Sequence, residues 1–281
     1  MNSSNVFSRA FFTALRQWRV VGIVYIIQLC LAFTLGMEVH NVLQASIGNS
    51  LEINKLINGY DHTVFSDFLK IHGASITPLI GQLRWLLLVW LLFSVFTNAG
   101  MLYASTQPEQ VSARPFWEGG SRYFFSFLKM SLVILLPVLV WTSLIFVPLG
   151  MHLQPALENS TSEATVVWPV IGILLLYLLG LVKFYIWSVV SRIYRLQHDV
   201  SIPTALKAGL RIFRKKVWRL LAFVLAFLAL QLFLLVLYWW LESISGMTSP
   251  ALILVFFLIQ QAFSFFKILI RQCLYAGIVR V

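Results

Sequence analysis

Few residues in this chain have the type and spacing to do chemistry. His62 and Asp67 are separated by four residues, a spacing at which an acid can orient a histidine general base. Two fixed positions recur easily, no companion motif accompanies them, and a solvated polar segment is the better reading. His40, His62 and His72, with Asp61 and Asp67, raise metal binding. The steps of five from 62 to 67 to 72 spread these side chains around a helix, whereas ligands sharing a face recur every three or four. The chain has no HExxH, GxxxxGK[ST], GxSxG or CxxC, so no metalloprotease, phosphate-loop, hydrolase-elbow or redox chemistry is indicated. We expect no catalytic residue, no metal and no cofactor.

The other chemistry-bearing set is cationic. The stretch RIFRKKVWRLLAFVLAFLALQLFLL, residues 211–235, places Arg211, Arg214, Lys215, Lys216 and Arg219 within nine positions and then turns apolar. Such a cluster reads nucleic acid in some proteins. Here no aromatic stacking platform or nucleic-acid module accompanies it, and nucleic acid is not expected as a partner.

The elements that must position these residues are membrane spans. The chain is 59% hydrophobic and 11% charged, with a mean hydropathy of +0.85; soluble domains carry about 25% charged residues. Charge-free windows occupy 20–37, 85–108, 130–157, 164–182, 220–241 and 243–266. About 20 apolar residues cross a hydrocarbon layer as a helix, and backbone groups in lipid must be satisfied internally. We therefore predict an all-α, polytopic membrane protein: one integral membrane domain with six spans at about 20–37, 85–105, 130–150, 166–190, 220–241 and 250–272. The first span follows a lead of about 18 residues with no clean cleavage site, so it reads as an uncleaved signal anchor. An outer segment, 38–84, mixes apolar and polar residues and is broken by Asn58-Gly59 and Gly73; two short surface helices are expected there. Cys30 and Cys273 fall at different depths, which disfavours a disulfide and suits small buried hydrophobes.

Charge fixes the expected orientation. Eighteen of the 21 basic residues fall on the side holding both termini, and only Lys55, Lys70 and Arg84 on the other. Glu38, Glu52, Asp61, Asp67, Glu158, Glu163 and Glu242 lie opposite the basic side. The positive-inside rule makes the basic side cytoplasmic, so most of the net charge of +11 reports topology.

The chain also repeats. An amphipathic segment precedes each outgoing span: one with Phe7, Phe11, Leu15 and Trp18, one with Phe116, Phe124 and Phe127 among Arg122 and Lys129, and one with Leu206, Leu210, Phe213 and Val217. Ser201 caps the third and Pro203 sits in its first turn. In the returning spans Phe93 and Tyr103, Phe184 and Tyr194, and Phe265 and Tyr275 are each ten apart, with Leu102, Ile193 and Leu274 before the tyrosines. We read three units of interfacial helix plus helical hairpin. The plainer alternative is that the tyrosines only mark an interfacial belt.

Lys183 and Lys267 each sit about 17 residues into a returning span, followed by Arg192 and Arg271. Snorkelling to the interface is the ordinary behaviour of such lysines. The sharper reading is a basic pocket for an anionic lipid head group, with Arg211, Arg214, Lys215 and Lys216 as further candidates. Asn98, Ser188, Gln231, Gln260 and Gln261 can bond between helices; Pro137, Pro148, Gly172 and Gly180 are candidate kinks. No acid lies inside a span, against a carboxylate proton relay.

The runs FWEGGSRYFFSFLK and SRIYRLQHDVSIPTALKAGLRIFRKKVWRLL resemble an uncharacterised group of bacterial six-span inner-membrane proteins. More distantly they are similar to the membrane domain associated with glycerophosphodiester phosphodiesterases. Where that pattern has paired glycines at the end of span 2, this chain has Asn98-Ala99-Gly100. The resemblance implies a six-helix bundle in the bacterial inner membrane, and the charge asymmetry puts both termini on its cytoplasmic side; no phosphodiesterase domain is present, so the resemblance implies no activity. The expected function is non-enzymatic: binding anionic membrane lipid, or serving as a subunit or scaffold with a membrane-protein partner. A small-solute or lipid transporter is the alternative, and a membrane enzyme using the outer loop the second.

Overall fold

The computed structural model describes residues 3–47, 62–107, 112–159, 164–245 and 250–280. Among them are seven helices: α1 (Ser3–Arg16), α2 (Trp18–Ile47), α3 (His62–Thr106), α4 (Arg114–Asn159), α5 (Ala164–His198), α6 (Ile202–Ser245) and α7 (Pro250–Ile278). The protein is all-α, and six of these helices, α2 to α7, are long and apolar enough to cross a membrane. Their large side chains fit the solvent they are built for: Phe33, Trp85, Leu136, Leu175, Phe233 and Leu254 are all exposed, an arrangement that hydrocarbon favours and water does not.

The expected outer segment differs from what forms. Residues 62–84 are not short surface helices broken at Gly73; they run without interruption into the second span as α3. A helix that satisfies every backbone group internally costs less near a bilayer than a break that exposes them. Lys55, Asn58-Gly59 and Asp61 lie outside the described residues.

Two compact units make up the chain, residues 22–94 and residues 1–21 with 95–281. The first holds most of α2 and the early part of α3. The second holds α1, the end of α3 and α4 to α7, and its buried core lies at the ends of the returning helices: Leu102, Ile193 and Leu274 are all buried.

The interfacial segments are joined to their spans in three ways. α1 is separated from α2 at Gln17, where the Gln17 amide reaches both Thr13 and Ala14 carbonyls. α4 runs straight through. α6 bends at Lys216, whose φ of −119° and ψ of 21° are not helical. Between α5 and α6 the chain reverses in Asp199, Val200 and Ser201. Asp199 takes a φ of 45°, a left-handed conformation in which a short polar side chain is tolerated. Ser201 caps α6, its carbonyl accepting from Ala205 and its hydroxyl meeting Thr204.

The three sequence units meet in the same way. In each returning helix the residue three before the repeat tyrosine lies at a crossing with an interfacial helix. Gly100 of α3 abuts the Phe116 backbone and ring of α4. Ser191 of α5 fills the space left open by Gly209 of α6. Gln272 of α7 donates to Gln17 beside α1. The third returning helix thus docks on the first interfacial helix, and Arg280 adds a 2.8 Å bond to Thr13. α1 packs through its small face, Ala10, Thr13 and Ala14, with Gln17 buried just beyond it, while Phe11, Leu15 and, at the start of α2, Trp18 stay exposed.

Candidate lipid-binding site

The basic run of α6 has helical spacing that puts Lys207, Arg211, Arg214 and Lys215 along one side, and there they line a recess of about 310 Å³ floored by Leu210. All four border open solvent. Like charges one turn apart repel, so this face is held together best when an anion sits against it. Lys216 occupies the bend rather than the recess, and just beyond it Trp218 is 81% exposed, the placement of an aromatic anchor at the membrane surface.

Further along the same helix, α5, α6 and α7 enclose an open groove of about 920 Å³. Its walls are leucines of α5 (Leu175, Leu178, Leu179) and α6 (Leu225, Leu228, Leu232, Leu235), closed by Phe263 and Ile270 of α7. Gln231 and Lys267 are its polar lining residues, and Lys267 its charged one. The chain direction places Lys267, Val182 and Leu225 at the basic-side end of the groove. The α6 lining residues from 225 to 235 span about 15 Å at 1.5 Å per residue, a length that accepts the inner part of an acyl chain.

The sequence candidates therefore separate. Lys267 is in the groove; Lys183 is not among the lining residues. Arg192 and Arg271 are half-buried in helix packing instead. Arg192 Nη2 donates to Ser131 of α4 at 2.7 Å, and its guanidinium lies 5.3 Å from the centre of the Phe127 ring. Arg271 Nη2 approaches the Met101 sulfur at 3.1 Å. A third arginine not singled out from the sequence, Arg195, spans from Ser126 Oγ at 3.0 Å to the Val200 carbonyl and so ties the α5–α6 reversal to α4.

Gln17 and Gln272 escaped the sequence reading, whereas Asn98 makes the interhelical bond expected of it. Gln272 also bonds Ser105 Oγ at 3.1 Å, and Gln17 Nε2 reaches the Ala104 carbonyl at 2.6 Å. Tyr275, buried, donates to Asn98 at 2.7 Å. That burial goes beyond an interfacial tyrosine belt. The register of the repeat was the available signal: it places Gly100, Ser191 and Gln272 at equivalent positions. Of the proposed kink residues, Gly180 serves close packing, since a Cβ there would meet the Trp141 ring.

His62 and Asp67 lie in the first turns of α3, and their side chains fall outside the described residues. Among the described residues no group of three or more His, Cys, Asp or Glu is placed to hold a metal ion. Cys30 is exposed and Cys273 buried, each as a free thiol. Comparison with protein-family models, with curated proteins and with solved structures finds no match.

Proposed function

We propose that this chain is a non-enzymatic protein of the bacterial inner membrane, with both termini cytoplasmic, that binds anionic phospholipid. The observation that carries the reading is the α5–α6–α7 groove, apolar along its length and charged only at Lys267. An acyl chain of a bilayer lipid is already in hydrocarbon, so its seating against the leucines contributes van der Waals packing rather than hydrophobic transfer and selects no head group. Selection comes from charge: a basic residue near an anionic leaflet is worth about 1 kcal/mol, and Lys267 together with the Lys207–Lys215 face supplies several. The leucine walls favour an acyl chain over a hydrophilic solute, so the groove gives no support to a small-solute path.

Native mass spectrometry of gently extracted protein tests this. Wild type is expected to retain anionic lipid over zwitterionic lipid. Lys267→Gln should reduce the preference, and Leu228→Trp, which fills the groove, should release bound lipid of either kind. Retention unchanged in both variants would remove the groove as the site, and a stoichiometric protein in place of lipid would make the chain a subunit of a complex.

A further inference from the structure

Two polar side chains line the α5–α6–α7 groove among its leucines, Lys267 and Gln231. Two ring contacts fix how α6 and α7 face each other there. A Cβ on Gly277 of α7 would meet the Phe223 ring of α6. Tyr238 of α6 stacks on Phe263 of α7 with ring centres 5.7 Å apart. The two helices run antiparallel between these contacts, so Gln231 lies across from the stretch of α7 that holds Lys267 and Ile270. The amide and the ammonium therefore share one part of the groove.

Neither group is used within the chain. Gln231 was a candidate for bonding between helices, yet it makes no hydrogen bond among the described residues, and Lys267 makes neither a hydrogen bond nor an ion pair there. Asn98 gives the contrast, since its amide oxygen is taken by Tyr275. Within a span, hydrocarbon offers an amide nothing to bond, and a polar group left without a partner in apolar surroundings is unfavourable. The occupant that suits this groove carries a hydrogen-bond acceptor close to its negative charge. A bare acyl chain beside Gln231 would leave the amide as it is.

A phospholipid has such an acceptor: its acyl ester carbonyls lie next to its phosphate. We propose that Gln231 is a specificity-determining residue, donating its amide N–H to an ester carbonyl of the lipid whose phosphate sits at Lys267. This rests on the reading of the groove as a phospholipid site and adds that the groove reads the ester linkage as well as the charge. An ether-linked lipid with the same head group keeps the phosphate and the chains but lacks the carbonyl.

The test is native mass spectrometry of the delipidated full chain in neutral detergent. One sample receives equal amounts of diester and dialkyl-ether phosphatidylglycerol of the same chain length, which differ in mass. Another receives diester phosphatidylglycerol against diester phosphatidylcholine. Wild type is expected to retain the ester form about 2- to 10-fold over the ether form, the range of one net hydrogen bond, and Gln231→Leu to retain the two alike. Gln231→Met, of similar length and without the amide, serves should Gln231→Leu not fold. Equal retention of ester and ether by the wild type, with phosphatidylglycerol still held over phosphatidylcholine, overturns the assignment of Gln231 and leaves the groove as a phospholipid site. An ester preference undiminished in the variants overturns it as well. No retention of any phospholipid by the wild type removes the groove reading, and this inference with it.

Discussion

Gln272 donates a buried hydrogen bond to Gln17, 255 positions earlier in the chain. Both side chains are fully packed, and between them they also engage the Ala104 carbonyl and Ser105 Oγ of α3. One amide pair thus joins α1, α3 and α7, at the point where Gly100 and Ser191 make the equivalent crossings in the other two units. Where those crossings use close approach, this one uses hydrogen bonds.

Replacing either glutamine by leucine should lower stability by about 1–3 kcal/mol, because each change strands a buried partner. The double variant should lose less than the sum, with a coupling of about 0.5–3 kcal/mol typical of residues in one network. Denaturant titration in mixed micelles of the wild type, both single variants and the double variant completes the cycle. Strict additivity would mean the two amides do not act together.

Gly209→Ala should destabilise the α5–α6 crossing by about 1–3 kcal/mol through overpacking, since the new methyl collides with Ser191. Ser191→Gly in the same chain should restore part of the loss. Gly172→Ala, which meets nothing within 4 Å, serves as the matched control and should be neutral or stabilising. Melting temperatures of the four proteins decide the matter.

At the reversal between α5 and α6, Asp199→Gly should be tolerated and Asp199→Val should not, because the φ of 45° penalises a β-branched side chain by about 1–2 kcal/mol. Arg195→Lys should also destabilise, a single ammonium being unable to hold both Ser126 and the Val200 carbonyl with the geometry of a guanidinium fork. Limited proteolysis in detergent should then cut this reversal faster.

In a background carrying Cys30→Ala and Cys273→Ala, Ser112→Cys and Ser243→Cys occupy exposed positions at opposite ends of spans. A membrane-impermeant thiol reagent should label Ser112→Cys in inverted vesicles and Ser243→Cys in right-side-out ones. Labelling of both from the same face would break the orientation assigned from charge. Changing Arg211, Arg214, Lys215 and Lys216 together to Gln should weaken the asymmetry and populate both orientations of this hairpin.

Helix number and position were legible because the signal is additive: about 20 uncharged residues in a row mean a span whatever their neighbours. The register of the tyrosines at 103, 194 and 275 was legible too, and it marks the helix crossings of the structure. Two things were not. The segment before Arg84 looked broken because Gly73 reads as punctuation in water, whereas next to a bilayer the intact α3 satisfies its own backbone. The surroundings of Arg192 and Lys267 were also hidden. Both read as cations near a span end, and only the packing of α4 against α5 pulls Arg192 onto Ser131 while the gap between α5, α6 and α7 receives Lys267. A sequence shows depth along a helix far better than direction around it.

The docking of α7 on α1 has a bearing on how the molecule is made. A ribosome adding about 5–20 residues per second delivers Gln272 some 10–50 s after Gln17 has left the tunnel. During that interval Gln17 has the Ala104 carbonyl to meet but not Gln272, and Thr13 has no Arg280. α1 therefore completes its seat only once α7 has been made, after all the helices between them.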